Sequence, residues 1–271
     1  MPEFPYIHGF SEDEQNRLRN QARFAEQVVY QDIDFSSEKN ILEVGSGVGA
    51  QTEILLRRFP QLTIQGIDFS ESQIASAKQH MSQIAYATDR YSFQFMDAGQ
   101  MSFSPKSFDG ALLCWVLEHV PDPLRVLSEV RRVLRPGSKV FITEVLNSTF
   151  FLDPYSPALT QYWMTFNEFQ KSSGGDPFVG AKLGNMLLAS GYRDIQTKVK
   201  TWHLDNRHPD KRQEVIAYWT DLLLSASEQL IESEKVTSQL VEQMRIELYR
   251  IQNDPNAVFF YSFVQAQAVV F

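Results

Sequence analysis

The segment Glu43-Val44-Gly45-Ser46-Gly47-Val48-Gly49-Ala50 is the first place where residue type and spacing could hold a ligand. Glycines let the backbone turn tightly and approach a bound group closely, and the spacing of Gly45, Gly47 and Ala50 satisfies the loose dinucleotide pattern G-x-G-x-x-A. That pattern alone fits several nucleotides. Three carboxylates narrow the choice. Glu43 stands two residues before the first glycine, where it would repel a pyrophosphate and favour a cationic ligand, through an ammonium or bound water. Asp68, about 20 residues further on and followed by Phe69, suits the two hydroxyls of a ribose and excludes a 2′-phosphate. Asp97, followed by Ala98, can accept the exocyclic amine of an adenine. The implied ligand carries an adenine, a free ribose and a positive tail. S-adenosylmethionine fits, with its carboxylate on main-chain N–H groups at a helix start.

Five apolar strands position these residues. Ile41–Val44, Leu62–Ile67, Tyr91–Met96, Phe108–Cys114 and Lys139–Thr143 alternate with helical stretches. Residues 50–58 read as a helix, as does the run carrying Ile74, Ala77, Met81 and Ile84, capped by Ser70 and Gln73. A third opens at Asp122-Pro123, with Leu124, Leu127, Val130 and Leu134 on its expected buried face and Pro136-Gly137 as its stop. Alternating strands and helices predict a doubly wound α/β fold around a parallel sheet, with ligands beyond the carboxyl ends of the strands. Ahead of this core lie a short aromatic arm, Phe4 to Phe10, and a helix over 11–30 opened by a Ser11–Glu14 capping box. After residue 145 the rhythm changes. The spacing predicts a helix over 181–190, a strand over 195–204, one long or two shorter helices over 210–252 and a terminal strand over 258–271.

The series Leu42-Glu43-Val44-Gly45-Ser46-Gly47-Val48-Gly49, Asp68, Asp97-Ala98, Phe108-Asp109, Leu117-Glu118-His119-Val120 and Leu134-Arg135-Pro136-Gly137 resembles a class I S-adenosylmethionine-dependent methyltransferase. The nearest branch is similar to the small-molecule enzymes that include the ubiquinone and menaquinone C-methyltransferases. The resemblance is strong over 40–145 and weak over 146–271. It implies a seven-stranded Rossmann-like sheet whose last strand is antiparallel and inserted between two others. It also implies that Gly45 and Gly47 contact the methionine part, Asp68 the ribose and Asp97 the adenine, while residues 113–118, with Trp115, flank the transferred methyl. The family usually joins its last two strands by a tight turn. Here residues 205–257 intervene and 146–180 are also long, so both are expected to build the acceptor pocket of a single domain spanning 1–271, with the N-terminal arm as a third wall.

Methyl transfer needs alignment of donor and acceptor, and a base only if the acceptor is protonated at neutral pH. His119, in its Glu118-His119 pair, and His203, at a strand end beside Trp202, are the leading candidate bases, with Glu118 a further one. His8 could reach the donor only if the arm folds over, and His208 reads as turn. Metal is not expected, because Cys114-Trp115 and Glu144-Val145-Leu146-Asn147 stand where metal-dependent catechol methyltransferases place their ligands. Cys114 itself reads as an apolar filler. Phe150, Phe151, Tyr155, Tyr162, Trp163, Phe166 and Phe169 read either as the core of a helical insertion or as an aromatic wall for a planar or apolar acceptor.

Composition bounds the rest. The chain has 271 residues, a net charge of −8 and one cysteine, so a nucleic-acid partner, an internal disulfide and a cysteine zinc cluster are disfavoured. No run of about 18 apolar residues is present, which excludes a membrane-spanning helix. The first residues lack the pattern of a secretory signal, so a reducing, cytoplasmic setting is expected. The sequence leaves the oligomeric state open, a dimer being one option. Two other readings stay open: a non-methylating S-adenosylmethionine-binding protein, such as a cyclising enzyme or a regulatory subunit, and an NAD-dependent oxidoreductase, against which Glu43 and Asp97 speak.

Overall fold

The computed structural model describes residues 6–271. Its sheet runs in the order β3 (Tyr91–Phe95), β2 (Thr63–Asp68), β1 (Asn40–Val44), β4 (Phe108–Cys114), β5 (Leu134–Val145), β8 (Val258–Val269) and β7 (Arg193–Leu204). Strands β1 to β5 pair in parallel, and β8 lies antiparallel between β5 and β7, as the resemblance implied. An eighth strand, β6 (Phe151–Asp153), was not anticipated. It continues along the β5 edge of β8, pairing Phe151 with Phe260.

Both faces of the central strands are covered, which is why they read as near-continuous apolar runs. Alternation along each strand divides its residues between two cores. Ile41, Leu112, Phe141 and Phe263 pack with α1 (Glu12–Val29), α2 (Ala50–Arg58), α3 (Glu71–Met81) and the later helices. Leu42, Val44, Leu113 and Ile142 pack on the other face, against α4 (Pro123–Val133) and α6 (Leu183–Ala189). The crossover that sends the chain from β3 back to β4, on the far side of β1, opens a crevice above β1 and β4.

Some expected details differ. The buried face of α4 is Val126, Leu127, Val130 and Val133. Leu124 is 45% exposed, because the 3.6-residue period sets it opposite the stripe of Val126, Val130 and Val133, and the helix yields to strand at Leu134 before Pro136 is reached. Residues 210–252 form three helices, α7 (Pro209–Ser225), α8 (Ser227–Glu232) and α9 (Ser238–Gln252). Ile84 lies beyond the end of α3. Ser11 caps α1 by accepting the Glu14 N–H at 3.2 Å, but the Glu14 carboxylate turns to Arg17 instead of closing a capping box. Helix α5 (Pro157–Ser172) and α7 to α9 stand over the crevice as a cap, with α1 beside them.

Candidate active site

The loop after β1 is shaped by left-handed glycines. Gly45 has φ +70°, and a Cβ there would meet Val116 Cγ2 at 2.5 Å, so the close approach of the loop after β4 requires glycine. Gly47 has φ +48° and nothing within 4 Å of its missing Cβ. Its backbone thus lies open to a ligand. Asp68, at the end of β2, fixes this loop: Gly47 N–H donates to its Oδ2 at 2.8 Å and Ser70 N–H to its Oδ1 at 2.9 Å. Burial raises its pKa, against the pull of these N–H donors. Asp97 is exposed after β3 and accepts the Gly99 N–H at 2.7 Å. Phe69 and Phe95 stack with centroids 5.3 Å apart on the same wall as Ala98.

Glu43 departs from expectation. It is 2% exposed and does not line the crevice. Leu42 and Val44 face the α4 core, so period-two alternation turns Glu43 the other way, where it accepts from the Thr52 hydroxyl of α2. Burial, with Asp68 nearby, pushes its pKa up to about 8. It ties the end of β1 to α2 and makes no direct wall.

At the end of β4 the chain takes a sharp turn. Trp115 has φ +57°, a costly conformation for a bulky residue, and is pinned by donating its N–H to Thr143 O at 2.8 Å. The next three N–H groups, of Val116, Leu117 and Glu118, converge on the Glu144 carboxyl group at 3.0, 2.7 and 3.3 Å. Glu144 is 0% exposed, and burial, together with the Glu118 carboxylate, pushes its pKa up to about 8. Sequence reasoning did not find this buttress. Its one signal was an acidic residue inside the otherwise apolar run of β5.

One cavity of about 820 Å³ joins these strand ends to the cap. Tyr6, His8 and Phe10 of the arm line it with Arg17 of α1, Trp163 and Phe166 of α5, and Tyr218 and Trp219 of α7. Arg17 is held by a bidentate pair with Glu14, and its Nη1 donates to the Tyr218 hydroxyl at 3.1 Å. The Tyr6 hydroxyl donates to Glu14 at 3.0 Å, which docks the arm. Of the seven aromatics between 150 and 169, only Trp163 and Phe166 reach the cavity. Tyr162 is buried with its hydroxyl on Leu223 O, Phe150 stacks behind on Trp219, and Phe151 and Tyr155 are exposed.

The candidate bases separate clearly. His119 lines the cavity, edge-on to Tyr6 at 4.9 Å, with Nε2 3.6 Å from Glu118 Oε1. His203 does not. On β7 it alternates with Trp202, whose side chain points inward, so His203 stands exposed against Phe260 outside the cavity. His8, which needed the arm to fold over, lines the cavity with Tyr6 and Phe10, while Phe4 and Pro5 of the arm lie outside the described residues. His208 precedes α7 and is exposed. Among the described residues, no group of three or more His, Cys, Asp or Glu is placed to hold a metal ion, and no helix is long and apolar enough to cross a membrane.

Residues 42–142 match the family model described as methyltransferase domain. An O-methyltransferase of Pyrenophora dematioidea is 31% identical over 195 residues, which are 70% of this chain and 69% of that protein. The O-methyltransferase resE of Aspergillus sclerotiorum is 32% identical over 167 residues, 60% of this chain, and the match spans only 58% of that relative's length. Among solved structures, phosphoethanolamine N-methyltransferase 2 of Haemonchus contortus, in complex with phosphomonomethylethanolamine and S-adenosylhomocysteine, shares the fold. Its TM-score is 0.59 at 17% identity, over 99% of this chain and 61% of that one.

Proposed function

The chain belongs to the class I S-adenosylmethionine-dependent methyltransferase family, and from that premise we propose that it moves a methyl group from S-adenosylmethionine to a hydroxyl of a small aromatic or apolar metabolite. The observation that carries the proposal is one continuous cavity, acidic and glycine-lined at the strand ends and aromatic under the cap. Its size lies toward the upper end of the roughly 300–1,000 Å³ of small-molecule sites, enough to seat two partners side by side. In this reading Gly45 and Gly47 take the methionine part, Asp68 the ribose, Asp97 and Ala98 the adenine edge, and Phe69 its face. Trp115 flanks the sulfonium. Glu43 ties β1 to α2 behind the loop. The 40–145 core holds the donor, and 146–180 with 205–257 hold the acceptor, within one unit spanning 1–271.

The sulfonium supplies an already activated methyl carbon. The residues of this chain supply alignment and exclude water. Oxygen is the preferred target because both curated relatives described above are named O-methyltransferases. Calorimetric titration with S-adenosylhomocysteine and with NAD tests the donor, and tight NAD binding would refute it. Incubation with labelled S-adenosylmethionine and a pool of phenolic and hydroxyl metabolites tests the transfer. Donor binding with no labelled product would favour the non-methylating alternative.

A further inference from the structure

Hydrogen bonding around the arm's histidine favours one tautomer. His8 Nδ1 lies 2.7 Å from Ser225 Oγ. Ser225 sits in the last turn of α7, and its hydroxyl donates to the Leu222 carbonyl at 2.8 Å. That carbonyl is open to the hydroxyl, because the Ala226 N–H four residues on has turned to Leu223 O. A hydroxyl has one proton to give, so Ser225 accepts from His8. In the tautomer this arrangement favours, the hydrogen of His8 is on Nδ1 and Nε2 carries a lone pair. Among the described residues Nε2 has no hydrogen-bond partner. His8 itself lines the cavity.

We propose that His8 Nε2 is the general base that receives the proton of a hydroxyl acceptor, a role that rests on the methyl-transfer reading above. The acceptor oxygen attacks the methyl carbon and forms the O–C bond. The C–S bond breaks with its electron pair going to sulfur, which becomes the neutral thioether. The hydroxyl proton passes to Nε2, and the resulting imidazolium releases it to solvent after the product departs.

Geometry places this group beside the acceptor space, and its surroundings keep it unprotonated at the cost of some basicity. His8 stands 6.4 Å from the His119 ring beside the loop after β4, and 5.7 Å from Phe166 on the aromatic wall. Burial, and then the charges of Arg17 and His119, hold its imidazole neutral. The other phenols and imidazoles nearby are worse placed. Tyr6 is committed to Glu14, burial pushes Tyr218 up to about 12, and His119 Nε2 faces the Glu118 carboxylate. The inferred acceptor is therefore a hydroxyl that keeps its proton near neutral pH, a phenol or an enol on a flat apolar body.

His8→Asn is the discriminating variant, because its amide nitrogen can stand in for Nδ1 and still donate to Ser225 while the base is removed. Long-range proton–nitrogen spectra of histidine-labelled protein, assigned with this variant, should show an unprotonated Nε2 near neutral pH. A protonated Nε2 overturns the assignment. With saturating S-adenosylmethionine and a series of alkylphenols, His8→Asn should lose about 10²–10⁴-fold in turnover. It should keep nearly full rate on nitrophenols already ionised in mildly alkaline buffer, with S-adenosylhomocysteine affinity unchanged. Equal loss on ionised and protonated phenols, or no loss on either, refutes the role of His8. A wild type that binds S-adenosylhomocysteine but methylates none of these probes refutes the transfer reading itself.

Discussion

Replacing Glu144 by Gln should flatten the dependence of stability on pH, by an amount that follows from the burial of this carboxyl. Glu144 is 0% exposed and its pKa in the folded chain is pushed up to about 8, from an ordinary 4.5. Between those values the folded protein keeps the proton that the unfolded chain releases. More protons are then bound in the native state, so stability falls as pH rises, by about 1.4 kcal/mol per pH unit for one group. Glutamine mimics the protonated form and does not titrate. Over two pH units, from about 5.5 to 7.5, the wild type should lose about 3 kcal/mol relative to the variant. Glu43, also raised to about 8, titrates equally in both proteins and drops out of the difference. The variant has a cost that does not depend on pH. Its carbonyl oxygen can keep the Val116 and Leu117 donors, but its amide group then faces the Glu118 N–H that Glu144 accepts at 3.3 Å. Losing that bond costs about 1 kcal/mol. Urea unfolding without donor, at three pH values, should therefore show the wild type ahead in acid and the variant equal or ahead near pH 7.5. Stability curves that run parallel across this range would refute the argument that Glu144 is held neutral.

Asp68→Asn should weaken S-adenosylhomocysteine binding by about 1.5–3 kcal/mol in calorimetry, since it removes charged acceptors from the ribose and from Gly47 N–H; unchanged affinity would place the ribose elsewhere. Gly45→Ala should destabilise the fold by about 1–3 kcal/mol in thermal melts, because its Cβ would meet Val116 at 2.5 Å from a left-handed backbone. A neutral outcome would mean the two loops separate freely. Hydrogen exchange over residues 6–10 and 146–180 should slow when S-adenosylhomocysteine binds, as closure must expel water; equal rates would make these segments static scaffold.

The donor half was legible because its features are local. Glycine spacing, strand-end carboxylates and the Asp122-Pro123 helix start all sit within a few residues of the elements they define, and β4 and α2 match the expected bounds. Misreadings arose where facing decided the outcome. Glu43 and His203 occupy strand ends in sequence, yet alternation points both away from the cavity. Glu144 was hidden because its partners come from a different strand's loop. The role of His8 depends on docking the arm through Glu14 and Ser225, contacts that span 8 and 217 residues and leave no short-range pattern.

The cap has a further consequence through the way it joins the sheet. Leu204 of β7 and Phe259 of β8 are register partners, so residues 205–257 leave and re-enter at adjacent points of an intact hairpin. Such a segment can be exchanged as a cassette with little strain on the strands that carry it, as insertions at adjoining termini are tolerated. Tyr218 and Trp219 would travel with the cassette, while Trp163, Phe166 and the strand-end carboxylates would stay. Recombination at this hairpin would therefore change one wall of the acceptor space and keep the donor cradle, a route by which one scaffold diversifies over metabolites and a practical junction for building chimeras.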